Sequence, residues 1–298
     1  MTDMSHPFTY DDPRARESLM RLFDSAWPQL RGVIADARAF GVEWADTTTP
    51  FVRFEDGRAV AHVGVLAIPM VIAGRKRTVA GVHAVVTDPA YRGRGYARDL
   101  LTEACAFIDK QYDSALLCAV DPNVYVRHGF RALSEQVFTT DVRTPVYSSE
   151  GTHAARRLSP NTETDRALLL RLLGTRSAVS ETFASLDPGW LFVTDALLWR
   201  GAWDRFFYID DLDVIVVAEQ KGTTLRLFDI VGTAIPPLEL LLRYFPTQID
   251  RVKIHFTPDN LAVRDIAHLP LPPQSDIVML RGIDEPLGVA MLPLLAHC

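Results

Sequence analysis

Val82-His83-Ala84-Val85-Val86-Thr87-Asp88-Pro89-Ala90-Tyr91-Arg92-Gly93-Arg94-Gly95-Tyr96-Ala97 reads as a strand, a short turn and the first turn of a helix. The apolar, β-branched residues before Asp88 suit a buried strand, and Pro89 stops it. Gly93 and Gly95 carry no Cβ, so a bulky group can come close to the main chain there. The N–H groups of residues 93 to 98 are the donors that a helix start leaves without an intrahelical acceptor, and the helix dipole adds partial positive charge beside them. Arg92, Arg94 and Arg98 add charge-assisted donors. A strand feeding such a helix start makes a socket for a large anion, and a pyrophosphate fits it. The stretch therefore points to a phosphorylated ligand.

Three glycine-rich patterns compete for this stretch. A dinucleotide fingerprint needs a third glycine where Arg98 stands. A Walker-type phosphate loop needs Gly-Lys followed by Ser or Thr, which is absent. What remains is Arg92-x-x-Gly95-x-Ala97 after a strand, led in by Thr87-Asp88-Pro89-Ala90-Tyr91. This pattern resembles the acetyl-coenzyme A signature of the GCN5-related N-acetyltransferases, the GNAT superfamily. A second mark of that superfamily is Asn123-Val124-Tyr125-Val126-Arg127-His128-Gly129-Phe130, in which Tyr125 precedes a Gly-Phe pair. The resemblance covers roughly residues 10–145. It implies that the backbone of Val85, Val86 and Thr87 pairs with the pantetheine arm as a neighbouring strand would. It also implies that Arg92, Gly93, Arg94, Gly95, Tyr96, Ala97 and Arg98 hold the pyrophosphate, and that Tyr125 stands beside the coenzyme sulfur. A phenol in that place would be the general acid that protonates the departing thiolate. The resemblance leans further, toward the tandem-domain group that includes the enhanced-intracellular-survival aminoglycoside acetyltransferases. That group joins an acetyltransferase domain to a degenerate second one and normally adds a third, sterol-carrier-like domain, which is not expected within these 298 residues. In that group the C-terminal carboxylate reaches the active site, a place that the α-carboxylate of Cys298 would take here.

Working outward, Pro13–Ser25 and Gln29–Phe40 read as helices, and Phe51–Glu55, Asp56-Gly57 and Arg58–Leu66 as a strand, a tight turn and a strand. Arg77–Thr87 is a third strand. Tyr96–Tyr112 is a helix with Ala97, Leu100, Leu101, Ala104 and Ile108 on one face, and Ser114–Val120 is a buried strand. Gln136–Val142 alternates as a strand and is expected to close the first unit. The punctuated stretch Thr144–Pro160 reads as a linker and divides the chain into residues 1–145 and 155–298. Beyond it come a helix at Glu163–Leu173, capped by Thr162 with Asp165 three residues on, and strands at Phe206–Ile209, Val214–Glu219 and Leu225–Val231. A helix at Leu238–Tyr244 and a last clear strand at Asp250–Phe256 complete the series. This order repeats that of the first half, so the second half reads as a diverged copy. Its matching turn carries Ile235-Pro236-Pro237, and each proline deletes a donor. It is expected to bind no coenzyme, and to form one wall of the substrate cleft or support a homo-oligomer. The expected fold is α/β (α+β): two domains, each a mixed, mostly antiparallel sheet flanked by helices, the second degenerate.

A net charge of −6 speaks against nucleic acid as the main partner. Cys105, Cys118 and Cys298 make no disulfide framework, Met1–His6 offers no apolar signal core, and no run of about 18 apolar residues is present to span a bilayer. A cytoplasmic protein without membrane attachment is expected. The histidines and cysteines lack zinc spacing, Asp210-Asp211-x-Asp213 lacks the rest of a calcium loop, and no Gly-x-Ser-x-Gly elbow occurs, so no metal and no serine hydrolase chemistry is expected. No cysteine adjoins the motif as an acyl carrier, and Cys118 reads as a buried inert thiol. The expected reaction is therefore transfer of acetyl from acetyl-coenzyme A to a primary amine by direct attack in a ternary complex. A non-catalytic acyl-coenzyme A sensor or interaction module is the alternative. Candidates for the base are His83, Glu55, Asp88 and a water chain, while Asp56 is explained by its turn. The acceptor is open among an aminoglycoside, a polyamine, another small amino compound and a protein lysine.

Overall fold

A computed structural model describes residues 10, 12–142, 155–199, 201–245, 248–272 and 275–298; Met1–His6 and most of the expected linker lie outside the described residues. Helices α1 (Pro13–Ala26) and α2 (Leu30–Ala39) open the chain. α1 begins where the Asp12 carboxylate accepts the Arg14 N–H at 2.9 Å, with Pro13 preset for the first helical position. Strand β1 (Thr48–Glu55) turns into β2 (Arg58–Ile72) at Asp56-Gly57, whose φ values of 49° and 74° fit a type I′ turn. β3 (Arg75–Thr87) leads through a short 3-10 turn at Pro89–Tyr91 into α3 (Tyr96–Gln111), and β4 (Ala115–Ala119) returns parallel to β3. β2 obeys the two-residue period: Ala61, Val63 and Val65 pack with Leu100, Leu101, Ala104 and Ile108 of α3, while Leu66, Ile68 and Met70 face the other way.

The chain continues through α4 (Asn123–Val126), β5 (Arg131–Ala132), β6 (Gln136–Asp141), β7 (Arg156–Arg157), α5 (Glu163–Thr175) and β8 (Phe183–Ser185). Next come α6 (Trp190–Leu198), β9 (Phe206–Ile209), β10 (Val214–Lys221), β11 (Thr224–Gly232), α7 (Leu238–Leu242), β12 (Arg251–Ile254), β13 (Ala267–Pro270) and β14 (Ile277–Arg281). Among the described residues the strands make two sheets. One runs β1-β2-β3-β4-β14-β5, with β8 also on β2; the other runs β13-β6-β12-β11-β10-β9-β7. Both are mixed, mostly antiparallel and flanked by helices. In the second, β10 and β11 are antiparallel, and β12 lies parallel to β11 across α7, as β2, β3 and β4 are arranged around α3. No helix among the described residues is long and apolar enough to cross a membrane.

The structure departs from the sequence expectations at three points. Gln136–Asp141 does not close the first sheet; β6 pairs with β12 and β13 in the second, where Val137 and Phe138 join Val216 and Ile254 in the core. Alternation shows that a segment is a strand but not which sheet it enters. The last strand is not Asp250–Phe256, because β14 follows and returns to the first sheet between β4 and β5. Each sheet thus takes a strand from across the boundary expected between 1–145 and 155–298. At α5 Thr162 makes no capping bond; Asp165 instead accepts the Ser159 N–H at 2.8 Å and pairs with Arg156 at 2.7 Å.

Helix α6 had no counterpart in the sequence reading, because an almost wholly apolar segment shows no amphipathic period. Its start is fixed by Asp187, whose Oδ2 accepts the N–H groups of Gly189, Leu191 and Phe192 at 3.0–3.1 Å. α6 joins the two cores: Leu191 packs under the first sheet, and Phe192, Val193 and Ala196 under the second.

Candidate active site

β3 and β4 pair only at Ala80 with Ala115 and at Gly81 with Leu116. Beyond that point they part, because β4 stays with β14 while β3 bulges: Ala84 and Val85 stand opposite Val63 alone, with Ala84 at φ 49°. The bulge is anchored from beneath. His62 Nδ1 donates to Ala84 O at 2.8 Å, and since a carbonyl only accepts, Nε2 is the acceptor for the Tyr10 hydroxyl at 3.1 Å. Burial pushes His62 down to about 4 and keeps it in this neutral form. Past the bulge, Val86 and Thr87 pair with His62 and Ala61 on one side and with no described strand on the other. Cys298 sits at the narrow end of the gap. Its main-chain oxygen accepts the Cys118 N–H at 3.2 Å, and its Sγ lies 3.8 Å from Val82 O and 3.9 Å from Leu116 O.

At the wide end stands the glycine-rich turn. Gly93 and Gly95 have φ values of 77° and 85°, the left-handed region that glycine enters freely. A Cβ added at Gly93 would meet nothing within 4 Å, whereas one at Gly95 would lie 2.9 Å from the Arg98 guanidinium. Asp99 is the first α3 residue whose N–H reaches a backbone acceptor, Gly95 O at 3.0 Å. Among the described residues, the N–H groups from Gly93 through Arg98 have no protein acceptor, which is the array the sequence predicted. The charged side chains are less free. Arg94 lies over the Tyr91 ring at 4.7 Å, Arg92 Nε donates to Thr87 O at 3.3 Å, and Arg98 pairs with Asp99 at 3.0 Å. Tyr96 turns its side chain to β1, where its hydroxyl donates to Glu55 at 2.6 Å, so only its main chain faces the turn.

Tyr125, on α4, packs edge-on against Phe130 with ring centres 6.3 Å apart. Its hydroxyl has no protein partner among the described residues, and burial, then Asp121 and Cys298, push it up to about 12. It is therefore a protonated donor at neutral pH. The base candidates fare differently. Glu55 is engaged by Tyr96, and Asp88 accepts the Ala90 N–H at 2.9 Å with Arg58 at 3.9 Å. His83 is pushed down to about 3 by burial and by His62, which makes it a far weaker base than free imidazole. Its ring fills the space that Gly64 leaves, where a Cβ would lie 2.4 Å from Nε2.

Beside the bulge opens a cavity of about 180 Å³. Trp27 and Leu30, from the start of the chain, face Trp190 and Leu191 of α6 across it, with His83 and Cys298 at its base. The second half thus contributes a wall to a cleft next to the candidate coenzyme gap. Its own glycine-poor turn differs: Pro236 and Pro237 carry no N–H, and the Leu238 N–H is already bonded to Leu261 O at 3.1 Å. Among the described residues no group of three or more His, Cys, Asp or Glu side chains is placed to hold a metal ion.

Residues 14–133 match the family profile described as acetyltransferase (GNAT) domain. This chain carries a GNAT acetyltransferase domain. Similar solved structures extend the likeness over both halves. A GCN5-related N-acetyltransferase from Kribbella flavida is 16% identical with a TM-score of 0.56, covering 95% of this chain and 71% of that one. Eis1 from Mycobacterium abscessus is 17% identical with a TM-score of 0.58, covering 90% of this chain and 70% of that one. A probable N-acyltransferase from Enterococcus faecalis V583 is 13% identical with the same TM-score of 0.58 and the same coverages, 90% and 70%. At such identities the likeness is one of fold. No curated protein matches the sequence. Within the acetyltransferase domain, the splayed strands, the glycine turn and Tyr125 all fall inside the matched residues.

Proposed function

We propose that the chain is an acetyl-coenzyme A-dependent N-acetyltransferase that moves an acetyl group to the primary amine of a small molecule by direct attack in a ternary complex. The observation that carries this reading is the row of unused N–H groups from Gly93 to Arg98 at the mouth of the β3–β4 gap. The open space over Gly93 admits a diphosphate to the main chain, and the free edge of Val85, Val86 and Thr87 suits an extended pantetheine arm. When bound, the coenzyme supplies an acyl group activated as a thioester. Tyr125 would hand its proton to the departing sulfur. Burial raises the thiols of Cys118 and Cys298, so neither is a ready acyl carrier near neutral pH, which favours direct attack. In this reading residues 1–145 hold the coenzyme, and residues 155–298 close the acceptor cleft through α6.

The test is thiol release from acetyl-coenzyme A across a panel of amines, with Tyr125→Phe run beside the wild type. The expected outcome is release with at least one amine and a fall in kcat of about 10²-fold or more in the variant, at unchanged coenzyme affinity. Tight coenzyme binding with no release from any amine would establish a sensor in place of an enzyme.

A further inference from the structure

Resting on the acetyltransferase reading, we propose that the cavity between α1, α2 and α6 is the acceptor subsite, and that it takes a primary amine with a compact apolar body whose ammonium is held by Asp195. The walls are apolar and come from both halves of the chain: Trp27, Leu30 and Ile34 on one side, Trp190, Leu191 and Leu198 on the other. At about 180 Å³ the space is slightly larger than the roughly 150 Å³ apolar cavity that holds benzene, so it suits one ring with a short arm. A polyhydroxylated aminocyclitol would strand its hydroxyls against hydrocarbon.

Charge selects the arm. Among the described residues Asp195 is the one acidic side chain lining the cavity, and no lysine or arginine lines it. Its Oδ2 accepts the His297 N–H at 3.1 Å, while Oδ1 has no partner among the described residues. Burial, reinforced by nearby Asp187, holds the Asp195 carboxyl well above the usual carboxylate range. The cavity thus contains an acid without a cation, and an ammonium supplies the missing partner. Ammonium with carboxylate and amine with carboxylic acid hold the same number of protons. The burial that raises the carboxyl's proton affinity shifts this balance toward the second form, in which the lone pair is on nitrogen. That nitrogen would stand close to the gap, since Cys298 borders both spaces.

The experiment titrates the full chain, without coenzyme, with 2-phenylethylamine, 2-phenylethanol, spermidine and kanamycin, followed by tryptophan fluorescence, to which Trp27 and Trp190 in the cavity wall contribute. Turnover of the three amines is then measured with acetyl-coenzyme A. The proposal predicts saturable binding of 2-phenylethylamine and a kcat/KM at least about tenfold above those of spermidine and kanamycin. Asp195→Asn is expected to weaken 2-phenylethylamine about tenfold and leave 2-phenylethanol unchanged. Leu198→Trp, at a partly exposed position on the rim, is expected to exclude both while coenzyme binding persists. Preference for spermidine or kanamycin, or equal 2-phenylethylamine affinity in the wild type and Asp195→Asn, would overturn the proposal while the acetyltransferase reading stands. Failure of the wild type to bind coenzyme would instead remove that reading, on which this one rests.

Discussion

Arg176 and Asp229 meet at 2.7 Å with side chains only 3% and 1% exposed, so their energetics are those of the interior. Burial still raises the Asp229 carboxyl, with Arg176 and the Ile230 N–H opposing it. Removing one partner leaves a stranded charge: Arg176→Ala is expected to cost about 3–5 kcal/mol in urea unfolding, while Arg176→Met with Asp229→Leu recovers most of the loss. Glu135 shows the cost of a buried carboxyl without a cation. Burial lifts it to about 7 from 4.5, and the Leu292 N–H, at 2.8 Å, offsets only part. The folded protein keeps this proton after the unfolded chain has released its own, so stability falls as pH rises from about 4.5 through 7. Glu135→Gln keeps the acceptor for Leu292 and is expected to flatten that fall, gaining up to about 3 kcal/mol above neutrality in unfolding measured across pH. At this scale the sequence was readable where function is local. Gly93, Gly95 and Tyr125 lie in short motifs whose spacing carries the chemistry. Asp195 was not readable, because one acid in an apolar run gains meaning only from residues far away in the chain that enclose it.

The glycine turn is the element on which coenzyme binding depends. Gly93→Ala places a Cβ at φ 77° with no protein atom within 4 Å, so its folding cost is confined to backbone strain of about 1–2 kcal/mol. Coenzyme affinity is expected to fall about tenfold or more, since the new methyl group occupies the approach to the main chain; thermal denaturation and calorimetry separate the two effects. α6 offers a second case. Asp187→Ala frees three N–H groups at once and is expected to cost at least about 1–2 kcal/mol and to loosen the cavity wall, read as weaker amine binding. The hairpin at Asp56-Gly57 and helix α3 were legible because turn chemistry and periodicity are written locally. The bulge at Ala84 was not, since it is held by His62 from the neighbouring strand. α6 and β14 were missed for a related reason: a uniformly apolar helix and a short strand are specified by what they pack against.

The two sheets are tied by exchange. β6 crosses to the second, and β14 comes back to lie between β4 and β5. The repeated order of elements was visible in the sequence, but this reciprocal pairing depends on register and core shape and was not. It has a direct consequence: a fragment ending at residue 145 lacks β14 and leaves the β4 edge unpaired. Such a fragment is expected to show no cooperative melt by circular dichroism, whereas the full chain unfolds in one transition. The account as a whole rests on main-chain amides past Arg92 gripping a diphosphate. Isothermal titration of the full chain with coenzyme A and with pantetheine, which has no diphosphate, tests this most directly. Saturable coenzyme binding at least about a hundredfold tighter than that of pantetheine is the predicted result. Equal affinity for the two, or no heat with either, would contradict it.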